Sequence, residues 1–341
     1  MVAVSVALRC EPCIRTYVTE QLDGSPDLAA EWNIVMQQTQ ITTYLAPKGF
    51  VHQAAAELKG VQAVHGRLII AGGPPQTSCW AQNTWLEPRT LRIRSITDGA
   101  KALRAIQRNW IMYSFRWHRR STLIQEKLPH VSARPLRFPE PVPQSPLGSW
   151  TLLAPDLVLA SARCSSAFPH GEVRFVESKQ GPPCRAYLKL WEVFSRIQKM
   201  PAPGDACLDA GASPGGWTWV LQQLGANVLA VDRADPAPEI MRLARVTFRK
   251  GNAFSILPDQ DSRFDWIFCD VACYPEKLLE WVSIWLNSEK CRNFVCTVKF
   301  QGNSHYGVIK KFAALPHTAF LHLSHNKHEL TWISLNVSSH N

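Results

Sequence analysis

The chain has 341 residues, which allows two domains and is too long for one ordinary hydrophobic core. Apolar residues make up 46% and charged residues 19% of the sequence, which excludes an intrinsically disordered protein. No apolar run reaches the roughly 18 residues that a membrane span requires, so we expect no membrane partner and a cytoplasmic location.

The net charge of +10 is concentrated in one segment. Between Arg92 and Arg137 stand eleven Lys and Arg residues against two acids, Asp98 and Glu126, so this segment holds nine of the ten net charges. Lysine and arginine clusters attract polyanions, because neutralised phosphates release their counterions. The charge therefore indicates a nucleic-acid partner, with a merely solvated basic face as an equal alternative.

The first 35 residues show no helix or strand periodicity, and we expect a weakly ordered extension over 1–35. Its start, "MVAVSVALRC", lacks the basic region of a signal peptide. The ten cysteines form only one C-x-x-C pair, Cys10 and Cys13, without a second pair at zinc-ribbon spacing. This pattern is typical of reduced thiols in a cytosolic protein, and we expect no metal site.

Residues 36–175 predict a smaller α+β region. It opens with a strand ("ITTYLA"), a short helix ("VHQAAAELKG") and a second strand ("AVHGRLIIAGG"). Asp98–Leu128 has a mostly helical pattern, with Asp98 as a plausible cap. Prolines crowd 129–146, which predicts a surface connector. "WTLLAPDLVLASARC" and "GEVRFVES" again resemble strands.

From residue 183 to 341 apolar strands alternate with amphipathic helices. Helices are predicted in "CRAYLKLWEVFSRIQKM", "GWTWVLQQLG", "EIMRLARV", "PEKLLEWVSIWLN" and "GVIKKFAAL", and strands in "DACLDA", "NVLAVD", "RFDWIFCDV" and "NFVCTVKF". The final "AFLHLSHNKHELTWISLNV" predicts a hairpin. The fold class is therefore α/β: a Rossmann-like, doubly wound, mostly parallel sheet closed by an antiparallel hairpin.

The loop in "CLDAGASPGGWTWVL", residues 207–221, follows a predicted strand and precedes a helix. It lacks both the spaced glycines of dinucleotide folds and the Lys-Ser/Thr of a phosphate loop. Gly215 and Gly216 would let a ligand approach the backbone closely. Asp232 ends the next strand, where a carboxylate can accept ribose hydroxyls. These features predict an S-adenosylmethionine pocket, with a plain glycine-rich turn as the alternative.

The same loop, "LDAGASPGGWT", resembles motif I of the FtsJ-type RNA 2′-O-methyltransferases. That family carries a Lys-Asp-Lys-Glu tetrad, and this sequence supplies its members in order. They are Lys189 in "RAYLKLWE", Asp270 in "FCDV", Lys299 in "CTVKF" and Glu329 in "KHELTW". The resemblance implies a methyltransferase domain over 183–341.

Several segments are similar to the bacterial 23S rRNA cytidine 2′-O-methyltransferases of the RlmM type: "YLAPKGFVHQAAAEL", "CRAYLKLWE" and "HNKHELT". That resemblance implies large-subunit rRNA, or its precursor particle, as the partner, and a THUMP-like RNA-binding region over 36–175. The family often has Asp where this chain has Asn252, whose amide oxygen can still accept a hydrogen bond from adenine. The predicted cofactor-binding residues are Asp209, Gly211, Ala212, Ser213, Pro214, Gly215, Gly216, Trp217, Asp232, Asn252 and Asp270.

The chemistry requires an oriented hydroxyl and the removal of its proton. Two converging lysines predict a lowered lysine pKa, because one cation disfavours another. The resemblance implies Lys299 as the general base, and we assign Lys189 to steering the hydroxyl. Asp270 is expected to orient Lys299, and Glu329 to fix Lys189 or the ribose.

The basic segment includes "RAIQRNWIMYSFRWHRR", in which arginines alternate with aromatic residues. We expect the arginines to contact RNA, namely Arg104, Arg108, Arg116, Arg119 and Arg120. Trp110, Tyr113 and Trp117 have the spacing of a buried helix stripe, so core packing is the better expectation for the aromatics.

Three functions remain open from sequence. The first is 2′-O-methylation of large-subunit rRNA, and the second is the same chemistry on tRNA or an mRNA cap. The third is a non-catalytic RNA-binding assembly factor, which the complete tetrad disfavours because a binding module does not need two lysines beside a methyl donor.

Overall fold

The computed structural model describes residues 40–178, 180–259, 263–300 and 306–336. The predicted extension over 1–35, with Cys10 and Cys13, lies outside these residues. In the part of the chain that is described, the strands form two four-stranded sheets and one seven-stranded sheet.

The first sheet contains the opening strands of the described chain. Its elements are β1 (Ile41–Leu45), α1 (Val51–Glu57), β2 (Val61–His65), β3 (Leu68–Gly72) and β4 (Asn83–Trp85). The order is β2-β3-β1-β4, and all neighbours are antiparallel. Every residue of β1 is buried, because both faces of this strand are covered.

The second sheet follows, with two helices. Its elements are β5 (Arg89–Arg92), α2 (Ile96–Ile106), β6 (Trp110–Met112), α3 (His118–Gln125), β7 (Gly148–Ala154) and β8 (Leu157–Ser161). The order is β5-β8-β7-β6, and only β6 and β7 run parallel. The proline-rich 129–146 contains no helix or strand, as predicted.

The prediction of one long helix over Asp98–Leu128 is wrong. The helix ends at Ile106, and Trp110 starts a strand that pairs with β7. Trp110 is fully buried, and its indole N–H donates to the carbonyls of Leu103 and Gln107 at 3.0 and 2.9 Å. Tertiary pairing thus overrides the local helical pattern. The N-cap is Ser95, whose hydroxyl accepts from the backbone N–H of Asp98 at 3.1 Å.

Three shorter predictions also need correction. "AVHGRLIIAGG", predicted as one strand, spans the antiparallel pair β2 and β3. "EIMRLARV" forms only the single turn α6 (Pro238–Met241), after which the chain enters a strand, β11 (Val246–Lys250), that was not predicted. "GEVRFVES" forms no strand and makes one isolated bridge, between Leu136 and Phe175.

The third sheet is built from the second half of the chain. Besides α6 and β11, its elements are α4 (Tyr187–Ile197), β9 (Ala206–Ala210), α5 (Gly216–Gln223), β10 (Asn227–Asp232), β12 (Phe264–Cys269), α7 (Pro275–Ser288), β13 (Cys291–Lys299), α8 (Tyr306–Ala313), β14 (Thr318–Leu321) and β15 (Glu329–Leu335). The order is β11-β10-β9-β12-β13-β15-β14, with β15 antiparallel to both neighbours. The predicted doubly wound sheet with a closing hairpin is confirmed.

One hydrophobic core joins the first sheet to the third. Tyr44, Ile69 and Trp80 are fully buried in the same cluster as Leu208 of β9 and Phe294 of β13. The Trp80 ring lies 5.9 Å from the Phe300 ring, just beyond β13. The opposite face of the first sheet packs against β8 through a smaller cluster that includes Tyr113 and Leu159.

Candidate active site

The four tetrad residues come from four different elements of the third sheet. Lys189 lies in the first turn of α4, and Asp270 directly follows β12. Lys299 is the last residue of β13, and Glu329, the first of β15, is its direct partner across the antiparallel pair. The strand order reverses between β9 and β12, and open α/β sheets hold their ligands at such a point.

Asp270 and Glu329 hold the two lysines together. The Lys189 ammonium lies 2.7 Å from Glu329 Oε1 and 3.3 Å from Asp270 Oδ2. The Lys299 ammonium lies 2.9 Å from Asp270 Oδ1 and donates to the backbone oxygen of Asp270 at 2.6 Å. Asp270 therefore bridges both lysines, and Glu329 binds Lys189 from the other side.

The electrostatics of Lys189 differ from the expectation. Burial lowers the pKa of its ammonium, but the nearby carboxylates of Asp270 and Glu329 outweigh burial and raise the pKa above the ordinary lysine value. Its side chain is only 12% exposed, compared with 28% for Lys299. Lys189 therefore stays protonated. The predicted lowering of the pKa by a second cation does not hold for this lysine, because a carboxylate lies between the two.

The glycines of the 211–216 loop are required mainly by packing inside the protein. Gly211 and Gly215 have φ values of +87° and +115°, which disfavour any side chain. A Cβ at Gly215 would lie 2.6 Å from Ile240, and one at Gly216 would lie 2.8 Å from the Cys184 sulfur. The expectation that Gly215 and Gly216 make room for a ligand is therefore replaced by close contacts with α6 and the segment before α4.

A cavity of about 550 Å³ opens beside this loop and reaches Lys299. Five of the predicted cofactor-binding residues line it: Gly211, Ser213, Asp232, Asn252 and Asp270. The Asp232 carboxylate is fixed by the backbone N–H groups of Ser213 at 3.0 Å and Ala234 at 2.9 Å. We call this space the loop cavity.

Six predicted cofactor-binding residues do not line the loop cavity. They are Asp209, Ala212, Pro214, Gly215, Gly216 and Trp217. The Trp217 indole N–H donates to the carbonyl of Ala186 at 3.0 Å, which ties α5 to the start of α4. These residues support the loop without lining the cavity.

Asp209 is fully enclosed beneath the loop. One carboxyl oxygen accepts from the Thr218 hydroxyl at 2.6 Å, and the other has no hydrogen-bond partner. Burial is the main cause that raises the pKa of Asp209 to about 7, and the charges of Asp270 and Asp232 add to it. The Asp209 carboxyl therefore titrates near neutral pH.

Sequence reasoning missed the far wall of the loop cavity. This wall consists of Arg233, Phe254, Val271, Ala272, Cys273, Tyr274 and Lys277. Tyr274 is 61% exposed at the start of α7, and the Lys277 ammonium lies 5.1 Å from the centre of the Phe254 ring. The position of 271–274, directly after Asp270 at a strand end, is the signal that could have identified it.

The five arginines expected to bind RNA lie in the second sheet region and do not line the loop cavity. Arg104, Arg108, Arg116 and Arg119 are exposed, and Arg120 is partly buried. Among the described residues, none of the five has an ion-pair partner. Trp110 and Tyr113 are buried, as expected of core aromatics, whereas Trp117 is 47% exposed.

The described residues contain neither a metal-binding cluster nor a membrane-spanning helix. Over the described ranges, no group of three or more His, Cys, Asp or Glu side chains could hold a metal ion. No helix in that part of the chain combines the length and apolarity needed to cross a bilayer.

Comparison with known families agrees with this geometry. Residues 183–320 match the FtsJ-like methyltransferase family. This match confirms the predicted resemblance to the FtsJ-type methyltransferases over these residues.

Curated relatives match over about half of the chain. The chain is 30% identical to "Ribosomal RNA large subunit methyltransferase M" of Halorhodospira halophila over 169 residues, which are 47% of this chain and 49% of the relative. It is 30% identical to the protein of that name from Marinomonas sp. over 192 residues, covering 51% and 54%. The alignments span about half the length of these relatives.

Solved structures are more distant. TrmN from Thermus thermophilus is 12% identical and covers 87% of this chain and 100% of its own, with a TM-score of 0.33. A similarity of this size supports no argument about function.

Proposed function

Because residues 183–320 form an FtsJ-like methyltransferase domain, we propose that the protein methylates a ribose 2′-hydroxyl in large-subunit rRNA, at a cytidine. One observation carries this proposal: Lys189, Asp270, Lys299 and Glu329 converge beside the loop cavity. Three ion pairs of 2.7–3.3 Å link these four side chains, at the sheet edge where such folds bind ligands.

The loop cavity fits S-adenosylmethionine by its donors and acceptors. The Asp232 carboxylate has free lone pairs for ribose hydroxyls in addition to its two backbone donors. Asn252 offers an amide in the same wall. When bound, the cofactor supplies an electrophilic methyl group on sulfur.

The chain's own residues orient and deprotonate the hydroxyl. Lys189 keeps its proton, so it can donate a hydrogen bond to the ribose oxygen and stabilise the negative charge that develops there. Lys299 in its neutral form accepts the hydroxyl proton at Nζ. Asp270 fixes Lys299 through two contacts, and Glu329 holds Lys189 on the same side of the sheet.

The substrate is proposed from two sources. The relatives' name specifies large-subunit ribosomal RNA. The region before residue 183 carries the basic segment, and its exposed arginines (Arg104, Arg108, Arg116 and Arg119) are proposed to contact phosphates, with Arg120 beside them. This role makes the region over 36–175 an RNA-binding part, and a reaction on rRNA implies the cytoplasm as the location.

Transfer of labelled methyl groups tests the proposal. Large-subunit rRNA from a strain that lacks the gene is incubated with labelled S-adenosylmethionine and wild-type protein, Lys299→Ala, or Lys59→Ala. We expect wild type and Lys59→Ala to label one ribose, because Lys59 is exposed and lies outside the tetrad. Lys299→Ala, which lacks the base, should transfer the methyl group about 10²–10⁴-fold more slowly. Nuclease mapping locates the label.

The outcomes separate the three functions. Label on tRNA or capped mRNA, and none on rRNA, would move the reaction to another RNA. Cofactor and RNA binding without any transfer would indicate a non-catalytic assembly factor. Full activity of Lys299→Ala on rRNA would remove Lys299 from the role of base.

A further inference from the structure

A second cavity, of about 540 Å³, lies where the first sheet meets the methyltransferase domain. We call it the junction cavity. The first part of the chain contributes Lys48, Arg67 and Arg174 to its wall, and the methyltransferase domain contributes Arg185, Leu188 and His325. Its size is within the roughly 300–1,000 Å³ of ligand sites, and its wall is cationic.

Two of its four cations are already balanced. Arg185 forms two hydrogen bonds with Glu177, at 2.6 and 3.1 Å, and Arg67 lies 3.7 Å from Glu172. Lys48 and Arg174 are both exposed and have no ion-pair partner among the described residues. The cavity therefore retains positive charge that the protein does not neutralise.

The junction cavity borders the tetrad. Leu188 in its wall is the residue before Lys189, and His325 lies in the loop that leads to Glu329. Burial lowers the pKa of His325, and the positive charges of Arg185 and Lys189 lower it further. No tetrad residue lines the junction cavity, but a ligand here would lie within electrostatic reach of Lys189, whose charge acts on His325.

Positive charge continues from the cavity toward the predicted basic segment. The Arg67 guanidinium lies 5.9 Å from the centre of the Tyr113 ring, and the Arg67 backbone N–H donates to the Tyr113 hydroxyl at 2.7 Å. Burial lowers the pKa of His65, and the charge of Arg116, three residues after Tyr113, lowers it further. Arg116 therefore lies near His65. A basic path therefore leads from Arg116 past Arg67 to the cavity.

We propose that the junction cavity binds a backbone phosphate of the RNA strand next to the methylated ribose, with Lys48 and Arg174 as its ligands. This inference rests on the proposed function and adds the place where the strand is held. Single-stranded RNA is the occupant because a cavity of this size beside the tetrad admits a nucleotide or two, whereas a duplex would meet a flat basic surface.

The double variant Lys48→Gln/Arg174→Gln tests the inference in the full chain. Its control, Lys59→Gln/Arg249→Gln, removes the same charge from exposed residues that do not line the cavity. Affinity for a single-stranded oligoribonucleotide spanning the methylated ribose is measured over a series of KCl concentrations. We expect the cavity variant to bind roughly ten- to a hundredfold more weakly, with a salt slope reduced by about 1.4 for two lost contacts.

The charge-preserving variant Lys48→Arg/Arg174→Lys should restore most of the affinity, and S-adenosylmethionine should bind all variants equally. Equal loss in the cavity and control variants, or an unchanged salt slope, would overturn the inference. If wild type methylates rRNA and the cavity variant binds it normally, the inference fails and the proposed function stands. If wild type binds no RNA, both fail together.

Discussion

The loop cavity has Lys299 in its wall, the junction cavity has Leu188, the residue before Lys189, and the two cavities balance charge differently. In the loop cavity, Asp232 and Asp270 are held by backbone N–H groups or by lysines. In the junction cavity, Lys48 and Arg174 carry charge that no described acid balances. Neutralised charges fix geometry, whereas unbalanced charges attract a partner over a distance and are screened by salt. Changes on the loop side should therefore be insensitive to salt, and changes on the junction side sensitive to it.

The largest effect on the loop side is expected at Asp209. Its pKa of about 7 lies above the ordinary carboxyl value of 3.8, so the folded protein keeps a proton that the unfolded chain releases. The free energy of unfolding then falls as the pH rises from about 4 to about 7. Asp209→Asn cannot ionise and should be more stable than wild type above pH 7, by up to about 4 kcal/mol, with no gain near pH 4.

Urea unfolding between pH 4 and 8 measures this effect, with the exposed Asp235→Asn as control. A parallel pH dependence in wild type and Asp209→Asn would show that the carboxyl is ionised at neutral pH. If the stability difference between wild type and Asp209→Asn does not change with KCl concentration, the charge is enclosed, as expected on the side of the loop cavity.

The next effect is on cofactor affinity. Asp232→Ala removes the carboxylate that lines the loop cavity and anchors Ser213 and Ala234. Binding of S-adenosylmethionine, followed by calorimetry, should weaken about ten- to a hundredfold while RNA affinity stays unchanged. Asp232→Asn keeps one oxygen acceptor and should lose less. Equal weakening of RNA binding would mean that the two cavities are not independent.

The smallest effect concerns the pH profile. Glu329→Gln removes one of the two carboxylates that raise the pKa of Lys189. The pKa of Lys189 should fall, so the alkaline limb of methyl transfer should move to lower pH by about one unit. Rates between pH 7 and 11 measure the shift, and the exposed Glu239→Gln serves as control. If the alkaline limb of the rate–pH profile does not move, Lys189 is not the group whose deprotonation limits the rate.

The part of the chain after residue 183 was predictable because its signals are local. Each strand of the third sheet except β11 and each helix longer than a single turn was predicted from apolar periodicity. The four tetrad positions followed from a resemblance to short motifs. The ion pairs among them were not predictable, since Lys189 and Glu329 are 140 residues apart and their contact depends on the pairing of β13 with β15.

The second sheet was less predictable because its signals are tertiary. Trp110–Met112 belongs to a helical pattern in sequence, yet it forms a strand only because β7 lies beside it. A Cβ at Gly148 would lie 2.7 Å from the Trp110 ring, so the pairing depends on a glycine almost forty residues away. The junction cavity was missed for the same reason: Lys48, Arg174 and Arg185 come from three distant segments.

The register of β13 against β15 has a further consequence for how the active site matures. Lys299 faces Glu329 only when seven residue pairs from Asn293–Leu335 to Lys299–Glu329 are aligned. Successive side chains on a strand point to opposite faces, so a slip of one residue would turn Glu329 away from Lys189. The Lys189–Glu329 ion pair therefore requires the correct docking of a strand more than a hundred residues downstream of Lys189. A chain with this strand out of register could form the 211–216 loop and still lack a complete tetrad.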